Sequence, residues 1–520
     1  MKKRVYWLIL ASFVIHFSNI GGYSIYALDE AKNATAAIEM WQSNEWILPT
    51  FNSEPRYDKP PLHYYAFALA YSWFGISPFA ARFFPALLGF CCIWLVYGFT
   101  NIALNKNSAF WAAFVLCCTP HWVIQFHMAV PDAFLIFFLT CSLLSFYTYL
   151  ARETKPIHLI LLAYASLGLA VLSKGPVAMV LTAGILLCYL VVSKIRQWKH
   201  LLTILYLPGI VLFLTIALPW YVLVSLQSDG LWISEFFIKH NLSRFSAPME
   251  GHGGGPWVTF GYVIGGTIPF SALLFFRVRR LNALFKPKND FLLFAAVSVG
   301  VIVAFFAFSG TKLPNYTVPA YPFLAILSGY SIHRMTQSTN LRPIKTFGYI
   351  SAILLALISI LPYFIFQSKQ DLNTYTEPAV CLLIAGIVSL CLLIGMLFRK
   401  NQGSDTIIAA GMGFYLFSVA FLYFTVPALD RFNPVLNADI QALRQNKTYY
   451  FKIYNPAFSF YLQKEIENIE NITSIPGKGF VITREKHLQE FDRMDIPFTV
   501  MHKQKDLFEN PVTVVLQINP

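Results

Sequence analysis

The chain is divided into thirteen stretches of apolar residues, most about as long as a bilayer is thick. Taking about 20 residues per crossing, they fall near 5–23, 79–103, 109–129, 132–150, 157–174, 176–192, 201–224, 257–276, 291–309, 313–331, 346–366, 379–398 and 406–426. Only 12% of the residues are charged and 56% are hydrophobic, whereas soluble domains carry about 25% charged residues. An ordinary soluble enzyme is therefore excluded. So is a disordered chain, because 48 Phe, 27 Tyr and 11 Trp supply apolar bulk that disordered segments lack. The expected fold class is an α-helical polytopic membrane protein with about 13 transmembrane helices.

A net charge of +13 raises the question of nucleic acid. The basic residues answer it by forming short clusters between the apolar runs: Lys2-Lys3-Arg4, Arg152 with Lys155, Lys194 to Lys199, Arg277 to Lys288, Arg334 to Lys345, and Arg399-Lys400. With the N-terminus inside, every such cluster falls on the cytoplasmic side of the alternation, so the charge is a topology signal. No nucleic-acid partner is expected. The same alternation puts the tail, 427–520, outside. No small-x-small cleavage site precedes Asp29, so the first apolar run reads as an anchor rather than a cleaved signal. All eight cysteines lie inside apolar runs without zinc-type CxxC spacing, and read as small core hydrophobes.

Two outer loops stand out, 24–78 and 225–256, within a membrane domain spanning 1–426. In the first, residues 30–43 have helical composition, while 62–74 are apolar but too short to cross, so two helices lying at the interface are expected. The aromatics Trp41, Trp46, Tyr64, Tyr65, Trp73 and Phe74 suit that location. The second loop ends in the lightly restrained Gly251-His252-Gly253-Gly254-Gly255. In the tail, 448–453, 479–483, 497–501 and 512–517 read as strands and 456–465 and 485–492 as helices, forming a small accessory α/β domain.

Ionisable residues beside membrane-embedded structure are functional candidates by default, because water is given up to place them there. The outer face carries the acids Asp29, Asp58 and Asp132 and the cations Lys59, Lys174, Arg244 and Lys312. Each also has a plainer reading. Asp29 can cap the helix at 30–43, Asp58 and Lys59 can form a surface ion pair, and Lys174 and Lys312 can anchor to headgroups. His240 shares its loop with His252, and with Asp58 they offer donors for a divalent ion such as zinc, although a lone histidine is more often structural. Cations and carboxylates together beside a bilayer fit a substrate with an apolar tail and a phosphate head.

Several motifs carry a resemblance. Leu28-Asp29-Glu30, Glu45-Trp46-Ile47-Leu48-Pro49, Asp58-Lys59-Pro60-Pro61-Leu62, Pro131-Asp132, Ser173-Lys174-Gly175-Pro176, His240 to Phe245, and Lys312-Leu313-Pro314-Asn315-Tyr316 occur in order over residues 1–335. Together they resemble the bacterial aminoarabinose transferases and protein mannosyltransferase-like proteins, GT-C glycosyltransferases that use a polyprenyl-phosphate sugar. The resemblance implies a GT-C fold with two juxtamembrane helices and a periplasmic cavity. It also implies Asp29 as the catalytic carboxylate with Asp132 near it, and Lys59, Lys174, Arg244, Lys312 and Tyr316 as donor ligands. Some members place zinc on the residues matching Asp58 and His240. This chain has Asp58 where the family often has Glu, which leaves the metal open.

The implied activity is sugar transfer from polyprenyl phosphate to a lipid, glycan or protein acceptor at the periplasmic face of a bacterial inner membrane, with inversion and without a nucleotide cofactor. Modification of lipid A falls within that range. The competing class is a transporter or flippase of lipid-linked sugars. It would need the same outer cations, but it tends to show internal repeats and midplane polar sites, and neither is found in the sequence.

Overall fold

The computed structural model describes residues 2–26, 28–193, 202–247, 253–273, 290–368, 376–398, 403–471, 478–494, 496–507 and 511–518. The basic clusters at 194–199, 277–288 and 399–400 and the Gly251-His252 stretch lie outside them. The first half of the chain forms helices α1 (Lys2–Phe17), α2 (Leu28–Ser43), α3 (Leu62–Phe74), α4 (Pro78–Ala103), α5 (Lys106–Cys117), α6 (Pro120–Gln125), α7 (Asp132–Ala151), α8 (Ile157–Lys174) and α9 (Val177–Val192). Further helices cover Leu207–Gln227, Pro256–Gly266, Asp290–Phe308, Tyr321–Thr336, Arg342–Ser368, Thr376–Leu397 and Ser404–Ala420.

The chain is a multi-pass membrane protein. Among the described residues, eight helices are long and apolar enough to cross a membrane, fewer than the thirteen runs counted from sequence. The difference has local causes. Pro120, which has no N–H to donate, divides the run at 109–129 into α5 and α6. The run at 313–331 starts as a 3-10 helix, Pro314–Ala320, before Tyr321–Thr336. Helices α1 and α9 have 16 residues each, about 24 Å at about 1.5 Å per residue, short of a hydrocarbon core of about 30 Å. The cysteines also differ from expectation: Cys92, Cys117, Cys118 and Cys141 are buried, while Cys188 and Cys391 are exposed on their helices.

The helices and strands group into two compact units. The first comprises residues 1–18, 57–63 and 84–421. Two of its buried aromatic polar groups pair inside the helical packing. Trp122 Nε1 donates to His16 Nε2 at 3.1 Å, and His16 Nδ1 lies 2.8 Å from the Ser12 carbonyl. Helices Arg342–Ser368, Thr376–Leu397 and Ser404–Ala420 pack around Leu355, Leu382, Phe414 and Phe417.

The second unit is discontinuous, comprising residues 19–56, 64–83 and 422–520. It contains α2, most of α3, the first turns of α4, a short hairpin of β1 (Thr50–Phe51) and β2 (Glu54–Pro55), and a five-stranded sheet. The sheet strands are β3 (Thr448–Phe451), β4 (Glu467–Ile469), β5 (Gly479–Arg484), β6 (Phe498–Lys505) and β7 (Val512–Ile518), in the order β4-β3-β5-β7-β6. β3 pairs in parallel with β4 and β5, and β7 is antiparallel to β5 and β6. Four strands lie where alternation and β-branching put them. The fifth, β4, has three residues and no apolar run to betray it. The sheet buries Tyr449, Phe451, Val481, Val514 and Leu516 against Phe491 of the helix Leu488–Arg493.

In the same unit, α3 buries one side and exposes another. Tyr64 and Tyr71 are fully buried, and the Tyr71 hydroxyl donates to the Ala34 carbonyl of α2 at 3.1 Å, while Trp73 and Phe74 stay exposed. The C-terminal segment is bound to the first loop by polar contacts. The Ser24 N–H donates to Asp430 Oδ2 at 2.8 Å, and the Ile25 N–H donates to the Tyr461 hydroxyl at 2.9 Å. The Asn52 side-chain amide both donates to and accepts from the Ile466 backbone, each at 2.8 Å, as a strand would.

The centre of this unit is Arg82, in the first turns of α4 and fully buried. All five of its N–H hydrogens are used. Nε and Nη2 grip the two oxygens of Glu30 at 2.7 and 2.9 Å, Nη1 donates to the carbonyls of Ile20 and Tyr23 at 3.0 and 2.9 Å, and Nη2 donates to that of Ser24 at 2.7 Å. The guanidinium also lies 3.9 Å from the Tyr23 ring centroid, and burial pushes the Tyr23 phenol up to about 12. Replacing one partner of such a pair leaves the other charge buried alone. Arg82→Met is therefore expected to cost about 3–5 kcal/mol, read as a lowered thermal midpoint of the purified protein in detergent. Arg82→Lys keeps the charge but has too few donors and is expected to recover only part of the loss.

Candidate functional site

Two helix ends build the charged centre of the first unit. Pro131 stands at the N-cap of α7 and Asp132 in its first turn, where a carboxylate faces the positive end of the helix. At the C-terminal end of α8, the opposite polarity suits Lys174. The chain then turns at Gly175, whose φ of +81° is in the left-handed region, and a Cβ there would meet the Phe236 ring at 2.4 Å. Pro176 follows and leads directly into α9. The Ser-Lys-Gly-Pro motif is thus a tight reversal that presents one ammonium.

Lys174 Nζ donates to Asp132 Oδ1 at 2.6 Å, and Asn315 Nδ2 donates to the same oxygen at 3.1 Å. The ammonium also sits 5.0 Å from the Tyr316 ring centroid. Asn315 and Tyr316 both come from the 3-10 helix Pro314–Ala320. The buried Lys312, just before that helix, donates to the Ser309 carbonyl at 2.6 Å. Asp58 and Lys59 form a looser pair, with Nζ 3.5 Å from Oδ2.

Of these groups, Asp58, Lys59, Lys174 and Tyr316 edge a cavity of about 500 Å³ in the same unit. Asp58, Lys59, Lys174, His240 and Tyr316 supply its polar wall, while Leu135, Val177, Val180, Phe236, Phe237, Phe305 and Phe306 supply an apolar one. Three N–H hydrogens point from each ammonium, so Lys174 can hold Asp132 and still donate into the cavity. Such a site accepts one anionic group joined to a long apolar chain.

The described part of the loop at 225–256 shapes this cavity through residues 236–245. The helix Leu231–Ser234 widens into a π-helix, Glu235–Ser243, which carries His240. Trp232 is fully buried, stacks on Phe236 at 4.6 Å and meets Trp220 edge-on at 4.7 Å. The Phe245 carbonyl accepts from the Gly310 N–H at 2.6 Å, and Ala247 packs so close that any Cβ on Gly310 would come within 2.7 Å of its backbone. The Arg244 side chain and all of His252 lie outside the described residues.

The remaining expected residue, Asp29, belongs to the second unit. It lies exposed in the first turn of α2, next to the clamped Glu30. For zinc the fit is poor. Asp58 and His240 line one cavity, but among the described residues no three His, Cys, Asp or Glu side chains gather to hold a metal ion. Two donors fall short of the tetrahedral set that zinc takes.

The family model described as dolichyl-phosphate-mannose-protein mannosyltransferase matches residues 58–222. An undecaprenyl phosphate-α-4-amino-4-deoxy-L-arabinose arabinosyl transferase of Proteus mirabilis is 27% identical over 413 residues, 77% of this chain and 73% of its own length. The crystal structure of ArnT from Cupriavidus metallidurans bound to undecaprenyl phosphate superposes with a TM-score of 0.84 at 22% identity, covering 98% of this chain and 97% of that one. The chain has the GT-C fold and is similar in sequence to aminoarabinose transferases. The oligosaccharyltransferase of Archaeoglobus fulgidus shares the fold more distantly, with a TM-score of 0.54 and 11% identity over 93% of this chain and 69% of that one.

In this GT-C chain, sequence reasoning passed over three features. Asn315 was in hand inside the Lys-Leu-Pro-Asn-Tyr motif, but its contact with Asp132 spans 183 residues. Phe236 and Phe237 lie in the loop at 225–256 with no local motif to mark them as a cavity wall. Arg82 had the clearest signal, a charged side chain within a long apolar run.

Proposed function

We propose that this protein is an integral membrane glycosyltransferase that moves a sugar from a polyprenyl-phosphate donor to a hydroxyl or amine of a lipid, glycan or protein acceptor. The observation that carries this reading is one cavity combining the ammoniums of Lys59 and Lys174 with a wall of Phe and Val side chains, in a chain with the GT-C fold. The Cupriavidus relative is bound to undecaprenyl phosphate, a molecule of that chemistry. The transporter alternative draws no support from any of the similar proteins.

In this reading the donor phosphate takes charge-assisted bonds from Lys59 and Lys174, with Arg244 added from the family motif, and the prenyl chain lies along the aromatic wall. Tyr316 flanks Lys174 and Lys312 fixes the turn beneath it. Asp132 holds the Lys174 ammonium in place and offsets its loss of water. We assign to Asp29 the general-base role. The acceptor oxygen attacks the anomeric carbon, its proton passes to the Asp29 carboxylate, and the bond from that carbon to the phosphate oxygen breaks. Polyprenyl phosphate leaves as an anion that the cations stabilise without protonation. One displacement inverts the anomeric centre. The sequence leads to the same set, and no step is routed through a metal at Asp58 and His240.

Alanine at Lys59 or Lys174 is expected to weaken binding of undecaprenyl phosphate by about 1.5–3 kcal/mol, the value of a charged hydrogen bond. Unchanged affinity in both variants refutes the donor site. Asp29→Asn keeps size and capping ability. It is expected to bind donor normally while losing about 10²–10⁴-fold in turnover, and wild-type turnover refutes the assignment. We place the reaction on the periplasmic face of a bacterial inner membrane, on the strength of the basic clusters. A membrane-impermeant thiol reagent on intact cells is expected to label Glu470→Cys and to miss Asn340→Cys, and the reverse pattern inverts the topology.

A further inference from the structure

The second unit holds a cavity of different character, about 340 Å³ in volume. One side is a stripe of α2, with Thr35, Glu39 and Gln42 on one helical face at spacings of three and four residues. The facing side comes from the C-terminal segment, with Gln463 and Lys464 just after the helix Ala457–Leu462. Ile38 is the single aliphatic residue of its lining.

Its charges are engaged internally. Glu39 accepts from Thr50 Oγ1 and the Asn52 N–H, each at 2.6 Å, and from the Ser53 N–H at 3.2 Å. Lys464 Nζ donates to the carbonyls of Leu443, Arg444 and Asn446 at 2.6, 3.2 and 2.5 Å, which uses all three of its hydrogens. Glu465 accepts from Ser53 Oγ at 2.8 Å. What the cavity presents to a ligand is amide and hydroxyl. The Gln42 and Gln463 side chains line it, and the Thr35 hydroxyl is buried there with no hydrogen-bond partner among the described residues. An unpaired buried hydroxyl is costly to keep. Gln463 is held at φ +53°, a left-handed backbone that glycine would adopt more readily. A ligand that pairs with the Thr35 hydroxyl and the Gln463 amide explains why both persist.

A phosphate finds no disengaged cation here, and a lipid tail finds almost no apolar wall. A neutral, hydroxyl-rich molecule matches the groups on offer, and the volume is at the lower end of the range of about 300–1,000 Å³ for small-ligand sites. Thr35 lies about 9 Å along α2 from Asp29, and Gln42 about 20 Å, at about 1.5 Å per residue. The geometry points to a subsite for the glycan part of the acceptor, laid along α2 with its reacting end toward Asp29. The acceptor role rests on the transferase reading above, whereas the binding of neutral glycan does not.

The test uses the full-length protein in lipid nanodiscs, with chitotriose and maltotriose as probes and saturation-transfer NMR as the readout. Saturable binding of at least one trisaccharide is expected, weakened about tenfold, about the value of one hydrogen bond, in Thr35→Val with Gln463→Gly. The exposed Gln42→Ala serves as a second variant with little risk to folding. Binding of undecaprenyl phosphate is expected to stay at the wild-type level in all of them. Absence of saturable binding of both sugars, equal binding by all variants, or displacement of the sugar by inorganic phosphate each overturns the subsite. Trisaccharide binding by a protein without transferase activity removes the transferase reading and leaves the cavity standing. Turnover without trisaccharide binding does the reverse.

Discussion

A guanidinium buried at the start of an apolar helix sets the terms for the second unit of this protein. Arg82 is fully enclosed, so each of its five N–H groups must find an acceptor inside the fold. The acceptors come from the stretch after α1 and from Glu30 in the first turn of α2. One side chain thereby fixes both the path of the chain into α2 and the orientation of that helix's first turn, where Asp29 sits. Everything assigned to α2 inherits that rigidity, including the stripe of polar residues along its length.

The two cavities treat charge in contrasting ways. In the first unit, cations are held by acids but not consumed by them: Lys174 shares one oxygen of Asp132 with Asn315, and Lys59 stands 3.5 Å from Asp58. An ammonium kept beside a carboxylate in apolar surroundings is compensated while it waits and still has hydrogens to give. In the second unit, Lys464 gives all of its hydrogens to backbone carbonyls and Glu39 is saturated by its own loop. The first arrangement attracts an anion, while the second indifferently leaves shape and neutral hydrogen bonding to choose the ligand.

Much of this was legible in the sequence, because the bilayer and the sheet each impose a period on the chain. Helices form where the apolar runs lie, and Gly175 and Pro176 mark the reversal that presents Lys174. Lys59, Lys174 and Tyr316 do line one cavity. Pairings between distant residues were not legible: Asp132 meets Lys174 across 42 positions, and nothing local to either announces it. Nor could an almost wholly apolar helix such as α3 reveal that Tyr64 and Tyr71 face inward while Trp73 faces out. Hydrophobicity does not register the breaks at Pro120 and within 314–320, so an apolar run and a continuous helix need not coincide. The π-helix that carries His240 has no composition of its own.

The discontinuity of the second unit bears on how the protein is made. Ser24, Ile25, Tyr26 and Asn52 leave the ribosome early, yet they bind Asp430, Tyr461, Leu507 and Ile466, at separations of 406, 436, 481 and 414 residues. At about 5–20 residues per second, synthesis of the intervening chain takes about 20–100 s. For that interval α2 and its neighbours exist without their final partners. A chain cut short before its last strands would keep most of its membrane helices and still lack a completed second unit. In this protein the segment from Asp430 to Leu507, made long after the first loop, is what completes the fold around it.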